Sequence, residues 1–433
     1  MPVLVNNETV GKEPFIYMKK LIASAGLVSV GAAGLQAAYA PGLTPMETAK
    51  PWSIAASVRG FYDDNYNQAP SHPSTPGIPS AQSSSGFEIS PTFKLNFPLE
   101  QTYLGVAYTY SLKYYLDRPT GKDDQYHILT LKADHRFSER YHVALDNTFI
   151  YASEPEIINS SGAITSGNRQ NSDAVHNRAR ITATGQITET LGAQVGYENN
   201  WYEYLKNDAL SATLDRLEHL FDIRGTWQAR EHLTGFVGYK YGISDYISGK
   251  HLDNNPAEPL AETRDNTSHY FYVGADHAFS SQLNGSAEIG ATYTKWDKST
   301  PTASDWSPYA DIRGTYTYLP GSFIQAGITH TRNATDVSSS LDQESTTFFA
   351  SLTHRVTPRI TGSLNGQYQH SVFNGGSLDG KGDDWVLLGL NIEYRINPNW
   401  ATHIGYNLDH LNSDITDRSF TRNRIYGGVT ANF

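Results

Sequence analysis

In LGVAYTYSL (104–112), Leu104, Val106, Tyr108, Tyr110 and Leu112 fall on one side of an extended chain, with Gly105, Ala107, Thr109 and Ser111 on the other. ARITATGQI sets Ala179, Ile181, Ala183, Gly185 and Ile187 against Arg180, Thr182, Thr184 and Gln186, and TGSLNGQYQH sets Leu364, Gly366 and Tyr368 against Ser363, Asn365 and Gln367. VLLGLNIEYRI repeats the pattern, with Val386, Leu388, Leu390, Ile392 and Tyr394 opposed to Gly389, Asn391, Glu393 and Arg395. A period of two with one apolar and one polar face is that of a half-buried strand, and it recurs from Trp52 to the last residue. No comparable stretch of helical spacing follows the amino-terminal region.

The connections alternate in length. Short ones are PLEQ (98–101), SER (138–140), ET (189–190), ARE (229–231), SSQ (280–282), PG (320–321), TP (357–358) and NPN (397–399). Between them lie longer polar ones, at 67–85, 153–173, 247–266, 335–343 and 374–383. Pro, Asn, Gly and Ser punctuate both kinds, as turn chemistry requires. Short turns at one end and long loops at the other are the layout of an antiparallel barrel in an outer membrane, and the segments number about eighteen, an even count that puts both chain ends in the periplasm. An amphipathic strand in lipid cannot leave its edge amides bare. The first strand near 52–66 and the last near 419–433 are therefore expected to pair. The expected fold is all-β: a closed transmembrane barrel over 52–433.

Composition sharpens this. Mean hydropathy is −0.47, and past the amino end no apolar run is long enough for a membrane-spanning helix. Yet the chain holds 28 Tyr and 36 Gly, with 12% aromatic residues, which suits twisted strands and interfacial belts. With 0 Cys there are no disulfides, thiol nucleophiles or thiolate metal sites. The net charge of −11 argues against nucleic acid as a partner. MKKLIASAGLVSVGAAGLQAA, from Met18, carries Lys19 and Lys20 before a short apolar stretch and small residues, the pattern of a Sec-type export signal. We expect 1–17 to be an over-annotated extension, 18–40 the signal, with cleavage near Ala37 to Ala40, and 41–51 a short periplasmic segment. Aromatic residues and Pro flank the short turns (Phe97–Pro98, Phe137, Tyr141, Trp227, Phe279, Tyr318, Phe323, Trp400) and are expected to form a lower girdle.

YRINPNWATHIGY, HRVTPRITGSLNGQY and HAFSSQLNGSAEIGATY repeat one strand–short turn–strand unit, and the chain ends in GGVTANF. On these features the sequence resembles the porin-like outer-membrane β-barrels of Gram-negative bacteria, especially the "putative β-barrel porin 2" type. The resemblance covers about residues 52–433 and implies an outer-membrane barrel of the kind that can serve as a channel; it carries over no catalytic residue. It also extends to the carboxy-terminal signal read by the barrel assembly machinery, where Ile425, Val429 and Phe433 fit an alternation ending in an aromatic residue.

If the apolar set faces lipid, the alternate set faces a wet lumen, which explains charges inside strands that a dry core would penalise. Arg178 with Arg180, and Arg422 with Arg424, form two-residue basic ladders, which Arg224 and Arg313 join. Rings of Arg in a pore favour anions. The competing expectation is that these arginines pair with carboxylates, among them Glu218, Asp222, Asp276 and Asp311, and stiffen the wall; Glu288 lies on the same inward set. LDGKGDD (378–384) loosely resembles a calcium loop through Asp379, Asp383 and Asp384, but not with EF-hand spacing. HExxH, GxSxG and nucleotide-binding Gly loops do not occur. His135, His277, His330 and His354, on the outward set, are expected to pack at the interfaces. The chain is thus read as a non-enzymatic channel for passive diffusion of small polar solutes, with no cofactor or metal, in contact with outer-membrane lipids, and as monomer or trimer. A polysaccharide-export barrel and a structural or adhesive barrel remain as alternatives.

Overall fold

The computed structural model describes residues 50–154, 164, 173–206, 208–299 and 302–433. The expected signal and its preceding extension lie outside the described residues. The strands are β1 Trp52–Asp63, β2 Ser84–Pro98, β3 Thr102–Tyr115, β4 Asp123–Arg136, β5 Tyr141–Ala152, β6 Ala174–Gln186, β7 Leu191–Tyr204, β8 Arg216–Arg230 and β9 Leu233–Tyr246. They continue as β10 Asn266–Ala278, β11 Leu283–Trp296, β12 Ala303–Leu319, β13 Ser322–Asn333, β14 Asp342–Arg355, β15 Ile360–Asn374, β16 Gly382–Arg395, β17 Trp400–Ser413 and β18 Phe420–Asn432. They form one 18-stranded sheet in which each strand pairs antiparallel with its sequence neighbours. β18 pairs back onto β1, from Asp63↔Arg424 to Ala55↔Asn432. The sheet is therefore a closed barrel without an exposed edge, the condition that lipid imposes. The ring closes at Phe433, which exchanges backbone hydrogen bonds of 2.8 and 3.1 Å with Ile54.

Alternation in the sequence becomes a difference between two faces. Ile223, Val237 and Ile404 are 55%, 62% and 57% exposed on the outer face, each beside another exposed apolar residue of a neighbouring strand, Val195, Val273 and Ile392. A continuous surface of such residues is disfavoured in water and favoured in hydrocarbon. No helix among the described residues is long and apolar enough to cross a membrane; the strands cross instead. Phe97, Phe137, Tyr141, Trp227, Phe279 and Trp400 are exposed beside the short turns, as a lower girdle requires. Phe323 departs from that expectation. It pairs with Thr317 and Thr353 and so shares their lumen-facing side, because one step along a strand reverses the face.

Two prolines interrupt the ladder. Pairing of β2 with β3 skips from Ile89↔Leu112 to Thr92↔Thr109, across Pro91. Pairing of β12 with β13 ends at Ala310↔His330, just below Pro308. Proline has no amide hydrogen to offer a neighbouring strand. Above that point β12 continues to Ala303 against β11 alone, while Thr331–Asn333 pair only with β14.

Among the described residues one α-helix lies in the long connections, where periodicity led us to expect none: α1, Ala209–Leu214, between β7 and β8. Six residues are too few for a helical repeat to stand out. Its start is fixed by the Asp208 carboxylate, which accepts from the Leu210 and Ser211 amides at 3.0 and 3.2 Å, an N-cap in the usual sense. Leu210 and Leu214 pack on Ala174 and Tyr204 at the external rim.

Candidate functional site

The inward faces of β1 to β12 carry an arc of charge. Opposite-sign residues land side by side because neighbouring strands place them in register. Arg180 stands across from Glu198, whose carboxylate takes Arg178 at 2.8 Å and Arg180 at 3.5 Å. Glu198 is buried, whereas the Arg180 side chain is 35% exposed to the lumen. Farther round, Glu288 binds Arg224 closely, accepts from Lys240 at 2.9 Å and from the Tyr309 hydroxyl at 2.9 Å. Asp222 accepts from the Tyr272 hydroxyl at 2.7 Å. Gly238 makes that possible: a Cβ there would lie 2.2 Å from the Tyr272 ring. Asp311 and Arg313 form a two-pronged pair at 2.5 and 2.7 Å. Arg59 meets Glu88 at 2.5 Å. Lys132 and Asp146, 3.7 Å apart and about half exposed, are the wettest of these pairs.

Nearer the outer mouth the charges are dry. Arg422 is fully buried, held by Asp63 at 2.6 Å and by Glu154 at 2.7 Å. Its neighbour Arg424 pairs with Asp409 at 3.1 Å. Burial on this scale penalises a lone guanidinium by several kcal/mol, and only full pairing offsets it. Glu154 opens the β5–β6 connection and also accepts from Tyr126 at 3.1 Å and from Lys113 at 3.4 Å. Ile164, in the same connection, lies on the far side of the ring. Its amide donates to Gln369 at 2.7 Å, and its carbonyl accepts from Gln369 at 2.8 Å and Gln343 at 2.5 Å. Its side chain packs with Trp385, Leu387, Leu411 and Phe420. Ile164 has thus crossed the lumen to β14–β18, and the passage is narrowed there.

The external connections are stitched to one another above this point. Arg264 donates to the carbonyls of Thr335 (2.8 Å) and Val337 from within a fully buried site. Burial pushes its pKa down, against the favourable fields of Tyr246 and Asp253. Arg418 reaches Asp336 at 2.6 Å and Asp383 at 2.9 Å. Burial opposes that charge, yet the two carboxylates outweigh it and hold its pKa above the ordinary value. A cleft of about 640 Å³ opens between these connections, lined by Asp253, Val337, Leu378, Leu411, Asp417 and Phe420 among others.

The wall from β13 to β15 is different. Between the rims Phe349 faces inward, and the polar inward positions beside it carry Gln325, Thr329 and Thr331, then Ser345 and Thr347, then Gln367, Gln369 and Ser371. These are amides and hydroxyls without formal charge. They bond along the wall: Thr347 to Gln369 at 3.0 Å, Ser345 to Ser371 at 3.0 Å.

Every arginine singled out from the sequence faces inward, as do Asp222, Asp311 and Glu288. Their partners are Glu198, Glu288, Asp311, Asp63, Glu154 and Asp409; of the acids expected to pair with them, Asp311 does so, whereas Glu218 pairs with Arg216 and Asp222 accepts from Tyr272. They do not form one continuous ladder, because Arg422 and Arg424 are sealed into the outer mouth. Asp379, Asp383 and Asp384 diverge: Asp379 accepts from the Gly375 amide, Asp383 binds Arg418, and Asp384 faces Tyr368 and His370. Sequence reasoning missed Glu154, Ile164, Gln343 and Gln369. Their one visible trace is Leu387, an apolar residue in the polar set of its strand, beside Trp385.

A closed 18-stranded barrel with a lipid-facing apolar band and a polar, charged lumen is a porin-like barrel of the Gram-negative outer membrane. Residues 215–433 match the family described as "Putative beta-barrel porin 2", and the chain belongs to that family. No curated protein matches the chain. Among solved structures, a BenF-like porin from Pseudomonas fluorescens Pf-5 shares 11% identity over 89% of this chain and 99% of its own, with a TM-score of 0.45. OccAB4 of Acinetobacter baumannii shares 11% over 89% and 99%, at 0.44. The outer membrane protein opdK of Pseudomonas aeruginosa shares 9% over 88% and 99%, at 0.44.

Proposed function

We propose that this barrel lets small polar solutes diffuse across the outer membrane, past a narrowing lined on one side by ion pairs and on the other by neutral amides and hydroxyls. The observation that carries the reading is the charged arc. Lys132, Asp146 and Arg180 keep part of their charge in the lumen, where water screens them; a protein that used its barrel only as a scaffold would have no need to keep them wet. In this reading Arg178, Arg180, Arg224 and Arg313, with Asp222, Asp311 and Glu288, line the path and bias which ions pass. Arg422 and Arg424 instead hold the outer mouth in shape. Phe433, on the closing strand, serves as the mark read by the assembly machinery, and residues 18–40 direct export. The test is single-channel recording of the purified full-length barrel in planar bilayers. Stepwise conductance is expected; a folded barrel that never conducts would reject a diffusion role in favour of an adhesive or structural one.

A further inference from the structure

Outward-facing histidines among the described residues stand at two heights and at none between. His135, His277 and His354 lie one residue from the periplasmic ends of β4, β10 and β14. His127, His219, His269, His330, His370 and His410 lie higher, between eight residues (Ser322 to His330) and eleven residues (His219 to Arg230) from those ends. At about 3.3 Å per residue along a strand tilted by about 40°, that is roughly 20–28 Å above the lower rim. The apolar band of such a barrel is about 25 Å tall, so the upper set stands at the headgroups of the outer leaflet.

Three of the upper rings share one arrangement. A tyrosine on the preceding strand faces the histidine Nδ1: Tyr108 to His127 at 2.8 Å, Tyr197 to His219 at 2.8 Å, Tyr239 to His269 at 2.7 Å. At His219 the tautomer follows from chemistry. The Asn199 amide nitrogen, which donates to the Glu218 carbonyl at 3.1 Å, also approaches Nδ1 at 3.4 Å. An amide NH2 can only donate, so Nδ1 is an acceptor and the ring proton sits on Nε2. Where the phenols of Tyr108 and Tyr239 donate in the same sense, His127 and His269 likewise carry the ring proton on Nε2, and in each case the neighbour fixes the orientation of the ring. Nδ1 is thus engaged within the sheet and Nε2 is left to the surroundings. His330 and His370 differ, because Glu344 and Asp384 hold them, and His410 faces Thr421. The outward carboxylates Asp123, Glu203 and Asp245 lie above the rings, at the external ends of β4, β7 and β9.

We propose that His127, His219 and His269 form a docking belt for the phosphate groups of outer-leaflet lipids, on the barrel face that runs from β3 to β10. A phosphate oxygen accepts from a neutral N–H and binds an imidazolium more strongly, so the belt suits an anionic headgroup better than a bare glycerol or an acyl chain. Tyrosine and tryptophan at an interface supply amphipathic bulk; these rings add a directed donor at a fixed height.

The test uses the full barrel purified in detergent and offered equimolar phosphatidic acid and diacylglycerol of the same acyl chains, with retained lipid counted by native mass spectrometry. Preference for the phosphorylated lipid is expected to be about tenfold, the size of one charge-assisted hydrogen bond. In the His127→Phe/His219→Phe/His269→Phe variant, which keeps the aromatic bulk, it should fall to below about threefold. Heat-modifiable migration identifies folded variants; if the triple variant does not fold, His219→Phe alone is compared in the same assay. Unchanged preference in a folded variant overturns the proposal and leaves the rings as cross-strand packing. Displacement of the lipid by millimolar inorganic phosphate would overturn the assignment to lipid, since it would make free phosphate the ligand.

Discussion

The two sides of the lumen differ in how they satisfy polar groups. From β1 to β12 the inner wall is a series of ion pairs such as Arg180–Glu198, Arg224–Glu288 and Arg313–Asp311. From β13 to β15 the inward positions hold mostly uncharged Thr, Ser, Gln and Asn, with Phe349 among them, and on β14–β15 several of these bond to one another. Both are polar, and both obey the alternation of the strands. The charged side projects a field into pore water over a Debye length of about 8–10 Å, whereas the neutral side offers short-range hydrogen bonds alone. A solute passing between them meets an electrostatic wall and a contact wall. Selectivity by charge should then depend on one side of the barrel and barely on the other.

The largest effect is expected at the dry ion pairs of the outer mouth, where β18 meets β1. Arg422→Ala would leave Asp63 and Glu154 buried without their shared cation, a loss of about 3–5 kcal/mol. The folded, fast-migrating band should disappear at a markedly lower temperature than in the wild type. Equal heat resistance would show that the pairs at the outer mouth add nothing to stability. Arg178→Gln with Arg180→Gln should act differently, since Arg180 is partly wet. Each charge at about 8 Å in a water-like medium is worth about 0.5 kcal/mol, so losing both should lower anion relative to cation permeability by about fivefold. The reversal potential under a salt gradient measures it, and heat resistance should change less than in Arg422→Ala. An unchanged reversal potential in a conducting barrel removes these two residues from selectivity.

A third experiment probes the neutral side. Ser363→Asp, low on β15 and half-buried, adds charge where none stands. A shift toward cations of about twofold is expected. A shift as large as that of the double Arg variant would erase the distinction between the walls.

The smallest effect concerns pH and the external rim. Asp215, just after α1, accepts from the Tyr204 amide at 2.7 Å. Burial raises its pKa to about 7, against that hydrogen bond and with help from Glu203. Unfolded, the same carboxyl titrates near 4, so its contribution to local stability is full below about 4 and is lost as pH rises through about 7. Cleavage within 205–215 by added protease should increase from pH 5 to pH 8, and Asp215→Asn should flatten the trend. Cleavage that falls with rising pH would contradict the sign.

Much of this barrel can be read from its residues, because lipid outside and water inside impose one rule on every strand. Ile425, Val429 and Phe433 announce the closing strand, and Arg178 and Arg180 announce the wet face. The pairing of Arg422 with Glu154 is not legible, since 268 positions separate them and Glu154 opens a long connection. The anchoring of Ile164 is hidden for the same reason: a long connection carries no periodicity to show where it goes. Only Leu387 and Trp385, apolar on the polar set, mark that something dry rests against that wall. α1 escaped notice because six residues held by a cap obey local chemistry, not a repeat.

The shortened ladder between β12 and β13 has a consequence for motion. A closed ring of strands has no end from which to fray, so thermal opening must begin at an internal fault. Below Ala310 the seam is laced as far as a bulge at Thr317–Leu319; above it, Asp305 and Arg332 hold the two strands through side chains in place of backbone bonds. Amide protons in Thr331–Asn333 and along 303–309 should therefore exchange with deuterium sooner than those at equal height on β7 or β17. Mild heating or denaturant should part the barrel from that notch downward, like a zip whose upper teeth are missing.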